Sequence, residues 1–318
     1  MFELFLYHVS LCLPLFLLVL MGWVLARIKM FSAEAVRHLS DFVFRFLMPV
    51  MLFDLLSDLS AMPPVDWRVV IAFFSSCFIV HLLGRGVGRA FGLDNTGKTL
   101  FGMAAIFGNN VQLGVPIMQV SLGEAAMPTI SILIIFSVLL LWTAAIACVE
   151  FGKGEGPVNT RKILLSMTRV VKNPIVLGIL LGGAFGLTGW HLPDFADRTL
   201  GLVSQATTPM ALTVVGMGLA QHRFAAGLPK GLSISLLKLV AQPLIVFALC
   251  RVMGLSEIVT QAAVLTAALP VAINIYMMAV DFRSKEGAAS NAIFVSTILS
   301  AVTIPIVLTL LGVTGLQS

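Results

Sequence analysis

Charged residues are scarce in this chain of 318 residues: Asp, Glu, Lys and Arg make up 11%, against about 25% in soluble proteins. Hydrophobic residues make up 58%. A soluble fold of this size needs polar side chains over its surface, and too few are present. The shortage excludes an ordinary soluble globular protein and predicts that lipid surrounds most of the chain.

Motifs for catalysis and metal binding are also lacking. The four cysteines lie in separate apolar stretches without CxxC or Cys/His spacing, and no Gly-x-Ser-x-Gly or His-Glu-x-x-His run occurs. We therefore expect no enzyme activity, no cofactor and no metal. The net charge of +5 does not indicate nucleic-acid binding, because the basic residues are scattered between apolar runs.

Long apolar runs dominate instead. A bilayer core about 30 Å thick requires roughly 20 apolar residues per helix, and ten such windows predict an all-α polytopic membrane protein. The first run is too long for a signal peptide, so we expect it to be retained. The predicted spans are 4–26, 37–57, 67–90, 99–122, 128–150, 173–190, 199–221, 231–252, 258–280 and 290–312.

Basic residues in the connections predict the orientation. Fifteen Lys and Arg lie in or beside the odd-numbered connections, and three lie beside the even-numbered ones. Because cytoplasmic loops are enriched in Lys and Arg, we expect the odd connections inside and both termini on the outer side of the cell inner membrane.

A weak internal repeat relates the two halves. A shift of 160 residues superposes Pro14 on Pro174 and Pro49 on Pro209, and a shift of 162 pairs Arg89 with Arg251. Each copy holds five spans, an odd number, so the second copy must be inverted. We expect a first repeat at 1–150, a cytoplasmic connection at 151–172 and a second repeat at 173–318, all within one membrane domain.

Spans 4 and 9 contain helix-breaking and polar residues near their centres. Freed backbone groups are costly in hydrocarbon, so such a segment must be shielded by protein or line a cavity. Paired proline kinks in packed helices are the simpler alternative, but paired breaks in inverted halves favour a binding site at the membrane centre. The candidate substrate-binding residues are Asn109, Asn110, Gln112, Gly114, Pro116, Pro270, Asn274 and Tyr276.

Three ionisable residues within spans are candidates for coupling to an ion or proton, namely Asp54, Arg45 and Lys238. Burial of a charge in the bilayer is costly, so such residues are often functional. Each also has a simpler interpretation. Arg45 can pair with Asp41 one turn away, or its long side chain can extend to the membrane surface. Lys238 lies at a similar depth and can extend in the same way. Asp54 lies near the outer end of its span, where water can solvate it.

The run from Asn109 to Pro116 resembles the Asn-x-x-x-x-Gly-x-Pro signature of the auxin efflux carrier family, which includes plant PIN-formed carriers and bacterial malonate-type permeases. Segments 42–57, 209–220 and 268–274 are similar to its second, seventh and ninth helices. The resemblance implies ten helices in two inverted five-helix repeats, with helices 4 and 9 broken where they cross. It also implies a homodimer with a scaffold and a mobile domain. Asn274 and Ile275 replace a second proline of the plant carriers, which argues against plant-type auxin selectivity.

The leading hypothesis is a secondary carrier of a small organic anion that works by elevator-type alternating access. A mono- or dicarboxylate such as malonate, or an auxin-like acid, is the expected substrate and partner. The alternatives are a cation- or proton-coupled symporter with the fold of bile-acid transporters and sodium/proton antiporters, and an anion channel. A membrane enzyme fits worst.

Overall fold

The computed structural model describes residues 2–57, 66–141, 144, 174–221, 227–272, 275, 278–279 and 286–313, and its regular elements there are helices. They are α1 Phe2–Arg27, α2 Ala33–Phe42, α3 Met48–Ser57, α4 Arg68–Ala90, α5 Asn95–Ala104, α6 Val115–Leu122, α7 Met127–Phe136, α8 Pro174–Leu187, α9 Asp194–Gln221, α10 Leu228–Leu236, α11 Gln242–Val252, α12 Glu257–Ala267 and α13 Glu286–Leu310. Short π-helical turns at Val43–Leu47, Asn110–Gly114, Ser137–Leu141 and Leu237–Ala241, and a 3-10 turn at Glu124–Ala126, complete the list.

Five helices of the described chain are long and apolar enough to cross a membrane. They are Phe2–Arg27, Arg68–Ala90, Asp194–Ala220, Leu228–Val252 and Ala288–Leu310. Shorter apolar helices at Glu124–Phe136, Pro174–Leu187 and Glu257–Ala267 lie between them. The all-α, multi-pass class predicted from the sequence therefore agrees with the structure.

Some helices begin before the predicted membrane spans. The second span was expected from residue 37, but its helix begins at Ala33, because the Ser32 side chain accepts a hydrogen bond from the Ala35 N–H at 3.1 Å and caps the first turn. The seventh begins at Asp194 instead of 199, since acidic residues in a first turn favour helix formation.

Glycines bring two pairs of helices into backbone contact. A Cβ atom at Gly22 of α1 would collide with the Thr213 carbonyl oxygen of α9. A Cβ atom at Gly182 of α8 would lie 2.6 Å from the Phe53 carbonyl oxygen of α3. Small residues permit this close packing in membranes. The second contact repeats the first, because both glycines and both partners differ by the same 160 positions.

Hydrogen bonds join helix ends that are distant in the chain. The His8 Nε2 atom lies 2.8 Å from the Val313 carbonyl oxygen, so the start of α1 lies beside the end of α13. The Arg68 guanidinium, at the start of α4, donates to the Met253 carbonyl oxygen just after α11 at 3.0 Å. These contacts place each pair of helix ends on one side of the molecule.

The interrupted helices lie at the centre of the bundle. Nine consecutive residues of α12, from Val259 to Ala267, are buried, as are six consecutive residues of α5, from Thr99 to Ala104. By contrast, α1 exposes large apolar side chains such as Leu13 and Leu17 on one face. Protein therefore encloses the segments that carry breaks, which hydrocarbon could not solvate.

Candidate functional site

The two interrupted helices meet through their unwound backbones. Asn109 donates its N–H to the Pro270 carbonyl oxygen at 2.8 Å, and Ala272 donates its N–H to the Phe107 carbonyl oxygen at 3.0 Å. The result is an isolated antiparallel bridge between Gly108 and Val271. We call residues 105–109 and 268–272, which lie between the helical segments, the crossing.

The crossing satisfies backbone groups that the breaks release. Pro270 has no N–H to donate, and its carbonyl oxygen is used in the bridge. The Val271 N–H donates to the Ser296 side chain of α13 at 2.9 Å. Non-helical backbone is tolerated at membrane depth only with such partners or beside a polar cavity.

The break of span 4 lies mostly before the run from Asn109 to Pro116. Its helix ends at Ala104, and a helical turn resumes at Asn110. Pro116 therefore does not interrupt the helix, because it lies in α6 directly after the π-helical turn Asn110–Gly114. Gly114 packs against the Leu269 side chain of the crossing, and a Cβ atom there would displace the Leu269 methyl group.

Two carboxamides are buried at the start of this second half-helix. Asn110 is 8% exposed and Gln112 is 6% exposed. The Asn110 Oδ1 atom is buried without a hydrogen-bond partner among the described residues. A buried acceptor without a partner costs roughly 1–3 kcal/mol, so this atom is a good candidate for contacting a ligand or water.

Lys238 lies against the same crossing with no exposed surface. Its ammonium donates to the Gln242 Oε1 atom at 2.7 Å and to the Ala267 carbonyl oxygen, the last of α12, at 2.5 Å. A Cβ atom at Gly108 would lie 3.2 Å from Lys238 Nζ and 2.5 Å from Asn110 Oδ1. The missing side chain of Gly108 thus leaves room for both polar groups.

The other predicted residues lie away from the crossing or cannot be placed. The Arg45 side chain is 74% exposed and pairs with Asp41 at 3.8 Å. Asp54 is partly buried and accepts a hydrogen bond from Ser204 of α9 at 2.5 Å. Asn274 and Tyr276 lie outside the described residues.

The sequence did not point to two residues that lie beside the crossing. Gln242 follows Lys238 by four positions, so it lies on the same helix face, and this spacing of polar residues in an apolar run could have been detected. Ser296 gave no signal, because an isolated serine in an apolar helix usually bonds to its own helix.

Comparisons with known proteins agree with a membrane transporter. Residues 7–308 match the family model described as "Membrane transport protein". A protein of Rhizobium meliloti (strain 1021), whose name proposes malonate transport, is 25% identical over 93% of this chain and 93% of its own length. "Auxin efflux carrier component 8" of Arabidopsis thaliana is 22% identical over 87% of this chain and 90% of its own length. The "Uncharacterized transporter YfdV" of Escherichia coli (strain K12) is 23% identical over 89% of this chain and 91% of its own length.

The helical bundle, its apolar surface and these matches define a multi-pass membrane transporter. The chain belongs to the auxin efflux carrier family.

Proposed function

We propose that the protein is a secondary carrier that moves a small organic anion across the cell inner membrane. The expected substrate is a mono- or dicarboxylate, with malonate as the first candidate because a relative is named for it. The observation that carries the proposal is the backbone bridge between Gly108 and Val271, beside which a new half-helix begins at Asn110.

Anion binding at the crossing follows from the half-helix that begins at Asn110. The first N–H groups of a helix have no carbonyl partner within it and carry partial positive charge. The Gly114 N–H already bonds to the Asn109 carbonyl oxygen, and the described part of the chain holds no backbone acceptor for the N–H groups at 110–113, so these are the open donors. The carboxamides of Asn110 and Gln112 add donors that suit a carboxylate without a buried charge.

An arrangement of ten helices in two inverted repeats has three supports. The backbone contacts of Gly22 and Gly182 are related by the shift of 160 residues. The bridge joins positions that differ by 163, close to the repeat shift, as expected if a two-fold axis passes through it. The contact of His8 with Val313 is consistent with both termini lying on the same side of the membrane. The distribution of Lys and Arg predicts that this side is the outer one.

Elevator-type movement requires two bodies that slide past each other. Glycine contacts join α1 to α9 and α3 to α8, and a hydrogen bond from Ser204 of α9 to Asp54 of α3 links the two pairs. We propose that these four helices form the scaffold. The segments around the crossing would then form the mobile body that carries the anion. By the same family resemblance we expect a homodimer joined through its scaffolds.

Uptake by purified protein in proteoliposomes tests this function. Radiolabelled malonate is the first probe, followed by a panel of mono- and dicarboxylates. Loss of a hydrogen bond to a charged ligand costs about 1.5–3 kcal/mol, so Asn110→Ala is expected to reduce uptake by roughly 10-fold to 150-fold. Thr199→Ala is the matched control, because its hydroxyl is exposed and bonds only within its own helix.

The alternatives give different results in the same preparation. A carrier saturates and shows no single-channel conductance, whereas a channel conducts in steps. Equal uptake by Asn110→Ala and Thr199→Ala would argue against the crossing as the binding site.

A further inference from the structure

The Lys238 ammonium donates its hydrogen bonds to two oxygen atoms. Gln242 Oε1 and the Ala267 carbonyl oxygen accept its hydrogen bonds. In the described part of the chain, Lys238 forms no ion pair with a carboxylate. A fully buried cation is costly, so a different source of negative potential must stabilise it.

That source is the end of α12. The last carbonyl groups of a helix have no N–H partner within it and carry partial negative charge. Ala267 is the final residue of this helix, and the unwound segment of the crossing follows it. The ammonium thus binds the negative end of a half-helix at the centre of the bundle.

Another oxygen lies near the ammonium. Asn110 Oδ1 and Lys238 Nζ both approach the position that a Gly108 side chain would occupy. The Asn110 oxygen is buried and has no partner within the described residues. The three oxygens thus come from the carboxamides of Gln242 and Asn110 and from the helix-terminal carbonyl of Ala267. Transporters with broken helices use carbonyl oxygens at half-helix ends to bind Na⁺.

We propose that the Lys238 ammonium is the resident cation of the crossing, occupying the position at which a Na⁺-driven carrier would bind the metal ion. The crossing is then stable without Na⁺, and anion transport needs no Na⁺ gradient. The statement about transport rests on the proposed function, whereas the statement about cation binding does not. Removal of the ammonium opens a site for Na⁺ between the oxygens of Ala267, Gln242 and Asn110.

Thermal unfolding of the purified protein separates these statements. The wild type and Lys238→Ala are titrated with NaCl against choline chloride at constant ionic strength. We expect no Na⁺-specific shift for the wild type. Lys238→Ala should melt several degrees lower in choline chloride and recover part of that loss saturably with Na⁺, because a ligand stabilises the folded state that binds it.

Two further variants identify the site. Lys238→Ala combined with Gln242→Ala should lose the recovery by Na⁺, and Lys238→Arg, which keeps a cation, should show none. A Na⁺-specific shift of the wild type as large as that of Lys238→Ala would overturn the proposal. A Lys238→Ala protein that folds but does not respond to Na⁺ would overturn it as well.

A test on the wild type does not depend on the folding of any variant. Its uptake of labelled malonate should be the same in Na⁺ and choline media. Uptake that requires Na⁺ would overturn the resident cation while leaving the carrier intact. Absence of uptake for every anion, together with the expected melting behaviour of the variants, would instead overturn the carrier and leave the cation site standing.

Discussion

Adding one methyl group at Gly108 perturbs the crossing with the smallest chemical change. An ideal Cβ atom there would lie 2.5 Å from Asn110 Oδ1 and 3.2 Å from Lys238 Nζ. The buried ammonium already holds two hydrogen bonds, so the carboxamide must move. Overpacking of this kind costs about 1–3 kcal/mol. We expect Gly108→Ala to melt a few degrees lower and to transport at least about tenfold more slowly, because misplaced binding groups are costly.

Gly183→Ala is the matched control for this change. A Cβ atom at Gly183 of α8 would meet nothing within 4 Å. Alanine favours a helix over glycine by up to about 1 kcal/mol, so this variant should keep its uptake and melt at the same temperature or higher. Thermal unfolding and proteoliposome uptake are measured for both variants. Equal values for Gly108→Ala and Gly183→Ala would refute the account of the crossing.

Three further changes have expected outcomes at other positions. Ser296→Ala removes the acceptor of the Val271 N–H, and a buried donor left without a partner should cost about 1–3 kcal/mol in thermal unfolding. Gly216→Leu should prevent close packing of α9 against α1 and cost at least about 2 kcal/mol, measured as loss of folded protein on heating. Arg45→Gln removes an exposed pair with Asp41, so stability should change by less than about 1 kcal/mol and uptake should be unchanged.

Each of these three outcomes can fail separately. A Ser296→Ala protein as stable as the wild type would mean that the hydrogen bond does not support the crossing. Normal folding of Gly216→Leu would mean that α1 and α9 are less tightly packed than the backbone contact indicates. Loss of uptake in Arg45→Gln would assign the exposed guanidinium a role in transport.

Part of the fold could be predicted because membrane helices have a strong apolar signal. The clustering of Asn110, Gln112 and Pro116 in an apolar run indicated that span 4 is interrupted. The position of the break was less predictable. Pro116, a typical helix-breaking residue, lies within the second half-helix, and the α5 helix stops at Ala104, where the sequence carries no breaking residue.

The partners at the crossing could not be predicted from the sequence. The bond from Lys238 to the Ala267 carbonyl oxygen joins two helices whose relative position depends on the packing of the whole bundle. The pairing of Gly108 with Val271 is likewise a tertiary contact between segments far apart in the chain. Local patterns identified the segments, but only the assembled bundle determines which atoms meet.

Hydrogen–deuterium exchange of the backbone amides tests the central claim most directly. The peptide that covers 105–118 is followed in purified protein with and without a saturating concentration of the anion that gives uptake. The account predicts slower exchange at 110–113, where the open N–H groups of the half-helix would bind the carboxylate. If the anion binds but the exchange rate of the amides at 110–113 does not change, the account is contradicted.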